Sequence, residues 1–153
     1  MVFVSVGTQK QQFKRIFDMV ENSKVLLDDD IVAQTGNTKF CSNRIKMIES
    51  IDTNKFNEYI QKADFVICHG GVGTIFNALE NNKKILVVPR LEKYKEHVND
   101  HQLEVASELE KEGYLIMYKD GENFDKYVKQ LKEFKPKRYI QEEKFLNILR
   151  KEI

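Results

Sequence analysis

Short apolar runs alternate along the chain with stretches whose apolar residues recur every three or four positions, the pattern of buried strands followed by amphipathic helices. Val2–Val6 ends at Gly7-Thr8, and Phe13, Ile16, Phe17 and Val20 then fall on one helical face. Asp30–Gln34 is a second run, closed by Thr35-Gly36-Asn37, and Arg44–Ser50 alternates as a third strand. Asp52-Thr53 predicts an N-cap for a helix whose inner face is Phe56, Tyr59, Ile60 and Ala63. Asp64–Cys68 and Ile85–Val88 are continuous and apolar, as strands buried on both faces should be. A helix through Leu79 separates them. A polar loop, 90–100, precedes a helix carrying Leu103, Val105, Ala106 and Leu109 that ends near Gly113. Tyr114–Tyr118 is the last predicted strand, and Phe124, Tyr127, Val128 and Leu131 mark the helix after it. Repeated strand–helix units predict an α/β, Rossmann-like fold, a parallel sheet with helices on both faces. Lys135-Pro136-Lys137 is the one break, so residues 1–135 are expected to form one Rossmann-like domain. Residues 136–153 follow as a C-terminal helix, Tyr139–Ile153, packing on that domain or on a partner.

Composition narrows the picture. The 153 residues suit a single domain, and 41% apolar with 32% charged is an ordinary globular mixture. Lys plus Arg number 25 against 24 Asp plus Glu, which gives no electrostatic case for nucleic acid. Runs such as Ile85–Val88 are far short of the roughly 20 apolar residues that span a bilayer. No targeting leader is readable at Met1-Val-Phe-Val. Cys41 and Cys68, without a CxxC or a zinc-spaced His pair, read as free thiols, which points to a cytoplasmic protein.

In doubly wound sheets ligands bind where loops leave the carboxyl ends of the strands. The sharpest such loop is His69-Gly70-Gly71-Val72-Gly73-Thr74. Its glycines allow a sharp turn and close approach of a ligand, and the helix it opens supplies N–H groups and a positive dipole end for an anion. It is not the dinucleotide fingerprint, because Phe76 stands at the third glycine position. Nor is it a P-loop, since no GK[ST] follows. Gly7-Thr8-Gln9 and Gln34-Thr35-Gly36 end two further strands, and three such loops at one sheet edge predict a cleft. The fourth loop brings Arg90, Asn99, Asp100, His101 and Gln102. His97 and His101 sit one helical turn apart but without HExxH, so no metal is expected, and hydrogen bonding to a polyhydroxylated ligand is the better use.

These motifs, in order and at consistent spacing over residues 2–115, resemble the C-terminal, donor-binding half of GT-B glycosyltransferases of the family 28 type. They are Val6-Gly7-Thr8-Gln9, Gln34-Thr35-Gly36, Ala63-Asp64 with His69-Gly70-Gly71-x-Gly73-Thr74, Val87-Val88-Pro89-Arg90, and the run from Glu96 to Glu104. The resemblance extends to stand-alone halves, the catalytic subunits of the eukaryotic N-glycan UDP-GlcNAc transferase and of two-component capsule and exopolysaccharide transferases. It implies a UDP-sugar donor, with the 70–74 loop and Gly7-Thr8-Gln9 flanking its diphosphate and Gln102 on the sugar hydroxyls. Asn77 stands where relatives often carry a ribose-binding glutamate, a departure shared with the capsule-type proteins. The resemblance therefore implies an inverting, metal-independent hexosyltransferase subunit in bacterial capsule or exopolysaccharide synthesis. It would work with a membrane-anchored partner that presents a lipid-linked acceptor and holds this chain at the inner membrane face. Alternatives are UDP-GlcNAc transfer in glycolipid assembly, a non-catalytic nucleotide-sugar-binding subunit, and an unrelated FMN-binding, flavodoxin-like domain. The acceptor half normally supplies the general base; here His69 and His101 are candidates by residue type alone.

Overall fold

The computed structural model describes residues 1–97 and 101–140, with the side chains of His101 and Gln102 excluded. Among these, six parallel strands form one sheet in the order β3-β2-β1-β4-β5-β6. They are β1 (Val2–Ser5), β2 (Ile31–Gln34), β3 (Lys46–Ile48), β4 (Phe65–Cys68), β5 (Lys84–Val87) and β6 (Ile116–Met117). The helices are α1 (Lys14–Asn22), α2 (Thr53–Lys62), α3 (Val72–Glu80), α4 (His101–Lys111) and α5 (Phe124–Glu133).

Strand side chains alternate between faces, and each face buries its own core. Val2, Val4, Phe65, Ile67 and Leu86 pack with Ile16, Phe17 and Val20 of α1 and Tyr127, Val128 and Leu131 of α5. Phe3, Val66, Cys68, Ile85 and Val87 pack with residues of α2, α3 and α4. Phe3, fully buried, stacks on Tyr59 at 5.5 Å and meets the edge of Phe56 at 5.3 Å. Burying one such ring contributes roughly 1.5–3 kcal/mol.

Two strands are shorter than their patterns predicted by more than one residue, each for a local reason. Tyr114 is taken by the end of α4: Gly113 sits at φ +85°, its N–H reaches Glu110 O, and the Tyr114 N–H reaches Leu109 O. That left-handed helix stop leaves only Ile116–Met117 for the sheet. Arg44 does not extend β3: its N–H and that of Ile45 donate to Ser42 Oγ, and its Nη1 donates to the carbonyls of Val20, Glu21 and Ser23 at the end of α1. The predicted C-terminal helix falls, beyond Ile140, outside the described residues, and Tyr139 and Ile140 themselves are not helical. Residues 135–140 run over the domain, where the Lys137 N–H donates to Gly113 O and the Tyr139 ring packs edge-on against Phe76 and Tyr114.

Register aligns the site. Ser5 is level with Gln34 on one side and Cys68 on the other, and Cys68 is level with Val87. Four loops therefore leave the sheet side by side. Strand order reverses between β1 and β4, the place where such sheets open a crevice.

Candidate functional site

A cleft of about 740 Å³ opens over those strand ends, within the range of small-molecule sites. The β1 loop contributes Gly7, Thr8 and Gln9; β2 and its loop contribute Gln34, Gly36 and Asn37; and the β4 loop with α3 contributes His69, Gly71, Val72, Gly73, Thr74 and Asn77. His97 and Val105 line it from the β5 side.

The glycines divide into two kinds. A Cβ on Gly7 would stand 2.7 Å from His69 Nε2, one on Gly71 closer still, and one on Gly36 would run into Gly7 O. Gly7, Gly36 and Gly70 also hold φ of +73°, +55° and +92°, backbone that side chains rarely adopt. These residues are glycine because the fold leaves no room or no choice. Gly73 is different. It lies in the first turn of α3, is exposed, and a Cβ there would meet nothing within 4 Å. No side chain caps α3, so the helix presents its N-terminal amides to the cleft with a glycine at their centre.

His69 is a spacer between two loops. Its Nδ1 lies 3.2 Å from Ser5 O, which can only accept, so Nδ1 carries the proton and Nε2 a lone pair between Gly7 and Gly71. Burial, with the Arg90 charge nearby, pushes its pKa down to about 4. A ring so weakly basic is poorly matched to a general base working near neutrality. Burial pushes the Cys68 thiol up to about 12, so it is inert.

Gln34 and Asn77 are also engaged. The Gln34 amide oxygen accepts from Ser5 Oγ at 3.0 Å and from the Gly7 N–H at 3.2 Å, and its nitrogen donates to Gly7 O and Glu49 O. Both lone pairs and both N–H groups are used, so it holds Gly7 in place instead of reaching a ligand. Asn37 does similar work, donating to Thr8 O and Gln9 O. Asn77 donates to Asn57 Oδ1 at 2.6 Å and accepts from Asn81 at 3.1 Å, which leaves it one N–H and one lone pair.

Arg90 departs from its expected place. It is 1% exposed and absent from the cleft lining; its Nη2 donates to Val6 O, and its Nη1 to Gln11 O and Glu96 O. A guanidinium spent on three buried carbonyls is a brace, and its donors face protein. Gly70 likewise stands behind the lining. Asn99 and Asp100, and the side chains of His101 and Gln102, lie outside the described residues. Sequence reasoning missed the wall built from Glu49, Ser50, Ile51, Thr53, Phe56 and Asn57. The strand-end rule, applied to β3, signals Glu49–Ile51. Which face of α2 turns Phe56 and Asn57 toward the cleft has no local signal. Among the described residues the lining includes no Lys or Arg, so the electropositive feature at this wall is the α3 terminus.

A doubly wound parallel sheet with a cleft over its switch point defines the class of domain, an α/β Rossmann-like one. The chain belongs to the glycosyltransferase family 28 C-terminal domain family, whose model matches residues 1–151. It is 27% identical over 117 residues to the UDP-N-acetylglucosamine transferase subunit ALG13 of Candida albicans, a match covering 76% of this chain and 38% of that protein. The human protein of the same name is 44% identical over 63 residues, covering 41% of this chain and 5% of the human one. The chain thus spans well under half the length of these relatives. Among solved structures, the glycosyltransferase SnogD from Streptomyces nogalater superposes with a TM-score of 0.58 at 18% identity, covering 85% of this chain and 34% of that one. The glycotransferase of kitacinnamycin gives 0.57 at 15%, covering 99% and 39%. These two likenesses speak to the fold, which is the Rossmann-like half of a GT-B glycosyltransferase.

Proposed function

We propose that this chain is the donor-binding subunit of a UDP-sugar-dependent glycosyltransferase, with the donor diphosphate at the N-terminus of α3. The observation that carries this is Gly73. A glycine in a helix costs up to about 1 kcal/mol relative to alanine, and nothing in the fold requires one there. An anion approaching the amides of Val72, Gly73 and Thr74 does require it, and the Thr74 hydroxyl adds a donor. As the sugar–phosphate bond breaks, charge grows on the leaving UDP, and helix-end amides that already point there stabilise it without reorganising. Inversion and metal independence belong to the same proposal. The half-used Asn77 amide and the Asn57 beside it are the proposed contacts for ribose hydroxyls.

The names of the relatives favour UDP-N-acetylglucosamine as donor, and transfer in glycolipid assembly is the setting proposed with it. The capsule or exopolysaccharide setting expected from sequence draws no support from them. Transfer itself needs an acceptor-binding partner, proposed to be membrane-anchored and to carry the lipid-linked acceptor and the general base. Calorimetry tests the donor site: UDP should bind saturably, and Gly73→Val should abolish binding while leaving the thermal transition intact. Binding unchanged by Gly73→Val places the diphosphate elsewhere. Binding without turnover in the presence of the partner would leave a non-catalytic nucleotide-sugar subunit.

A further inference from the structure

A cluster of heavily bonded charged side chains lies behind the cleft. Glu96, 4% exposed, accepts from Arg15 Nε at 3.1 Å, from Arg15 Nη2 at 2.9 Å and from the Leu91 N–H at 3.0 Å. Its backbone carbonyl accepts from Arg90 Nη1 at 3.0 Å. The same Arg90 nitrogen reaches Gln11 O, and the other reaches Val6 O, both at 2.8 Å. Val6 and Gln11 bracket the β1 loop that lines the cleft. Arg15 also donates to Pro89 O at 2.8 Å, which draws the start of the β5 loop onto α1. Phe13, fully buried, lies beneath both guanidinium groups at 5.4 Å and 5.0 Å.

Both ends of one cleft loop are thus tied to one side chain, and that side chain is tied to the residue before His97, which lines the opposite side. We infer that Arg90, Glu96 and Arg15 form a clasp that sets the spacing between the β1 and β5 loops across the donor site, acting as positioning residues that never touch the donor. A short exposed loop has many conformations in isolation, and pinning both ends removes most of them before ligand arrives, so less ordering is lost on binding. A brace serving only the fold would leave ligand affinity unchanged in any variant that still folds.

The inference rests on the donor reading above, so its test has one arm that needs no ligand. Glu96→Gln, Arg15→Gln and the double variant are compared with the parent by amide hydrogen exchange and by UDP calorimetry, at a temperature where all remain folded. Exchange should speed at least tenfold in residues 7–12 and 91–97 while β1, β4 and β5 stay protected. UDP affinity should fall about tenfold in each single variant, with little further loss in the double, because the two side chains act as one unit. Unchanged exchange in both loops overturns the clasp. Loosened loops with unchanged UDP affinity overturn its role in positioning. A parent chain that binds no UDP defeats the donor reading instead, and the exchange arm still decides whether the clasp orders the loops.

Discussion

The loop after β4 and the loop after β5 flank the same cleft but are built on opposite principles. The first is almost all backbone: two glycines that the fold demands, one that it does not, and a histidine ring wedged between neighbours. Its shape follows from residues within a few positions of one another and from the seat of His69 on Ser5 O and Gly7. The second holds its shape through side chains reaching 74 to 84 positions along the chain, Arg15 to Pro89 and Arg90 to Val6 among them. A loop made of glycine leaves room for a ligand at low cost in space. A loop made of long charged side chains needs distant partners to hold it.

The contrast between the two kinds of glycine breaks most visibly at Gly71. Gly71→Ala drives a methyl group into the buried His69 ring, which cannot withdraw without losing Ser5 O. It should cost about 3 kcal/mol of stability in urea titrations, the upper end for overpacking. An unchanged midpoint would mean that the ring is free to move.

Acid should separate the β4 loop from the rest of the molecule. His69 takes its proton near 6.5 when unfolded but only near pH 4 when folded, so between these values the unfolded chain binds more protons and stability is lost as the pH is lowered. The loss should reach about 2 kcal/mol by pH 5. Asp64, paired with the N-terminal amine, and Asp120, beside Lys93 and Tyr94, are held below the ordinary 3.8 and titrate beneath this window. Denaturation midpoints followed from pH 7 to 4.5 should slope in the parent and flatten in His69→Gln.

A smaller effect distinguishes donor binding from folding. Thr74→Val removes one hydroxyl from the first turn of α3 and should weaken UDP binding by about 1.5 kcal/mol, roughly tenfold, as loss of a hydrogen bond to a charged group does. Its unfolding free energy should move by less than that. Equal affinity for parent and variant would remove the hydroxyl from the phosphate site.

The smallest expected change has the opposite sign from the first. Gly73→Ala should stabilise the fold by a few tenths to about 1 kcal/mol and at the same time weaken UDP binding, since the methyl enters space that the fold leaves open. Two neighbouring glycines would then respond to the same substitution in opposite directions. Stabilisation with undiminished binding would show that the open space is not the donor's.

Much of the frame was legible without coordinates. The short apolar runs at Val2–Val6, Asp64–Cys68 and Ile85–Val88 read as strands, the last two as strands covered on both faces, and the glycine loop after Cys68 marked the cleft. Errors of extent came where a residue had a competing use. Tyr114 reads as the start of a strand until Gly113 is seen to end a helix, and Arg44 reads as strand until its N–H is found on Ser42 Oγ. At the site, Arg90 and Gln34 were recognisable as polar residues in the right loops. Their roles were not, because whether an amide or guanidinium faces ligand or carbonyl depends on where its loop is pinned.

The division has a physical basis. Hydrophobic periodicity and glycine placement are local, set by side-chain alternation and by the backbone angles one residue can adopt, so order of elements, fold class and the anion-ready turn were determined by the sequence alone. Register, the level alignment of Ser5, Gln34, Cys68 and Val87, and the distant partners of Arg15, Arg90 and Glu96 depend on segments some 20 to 85 residues apart meeting in space. Only the folded chain decides those, because each satisfies buried polar groups that a linear reading cannot pair.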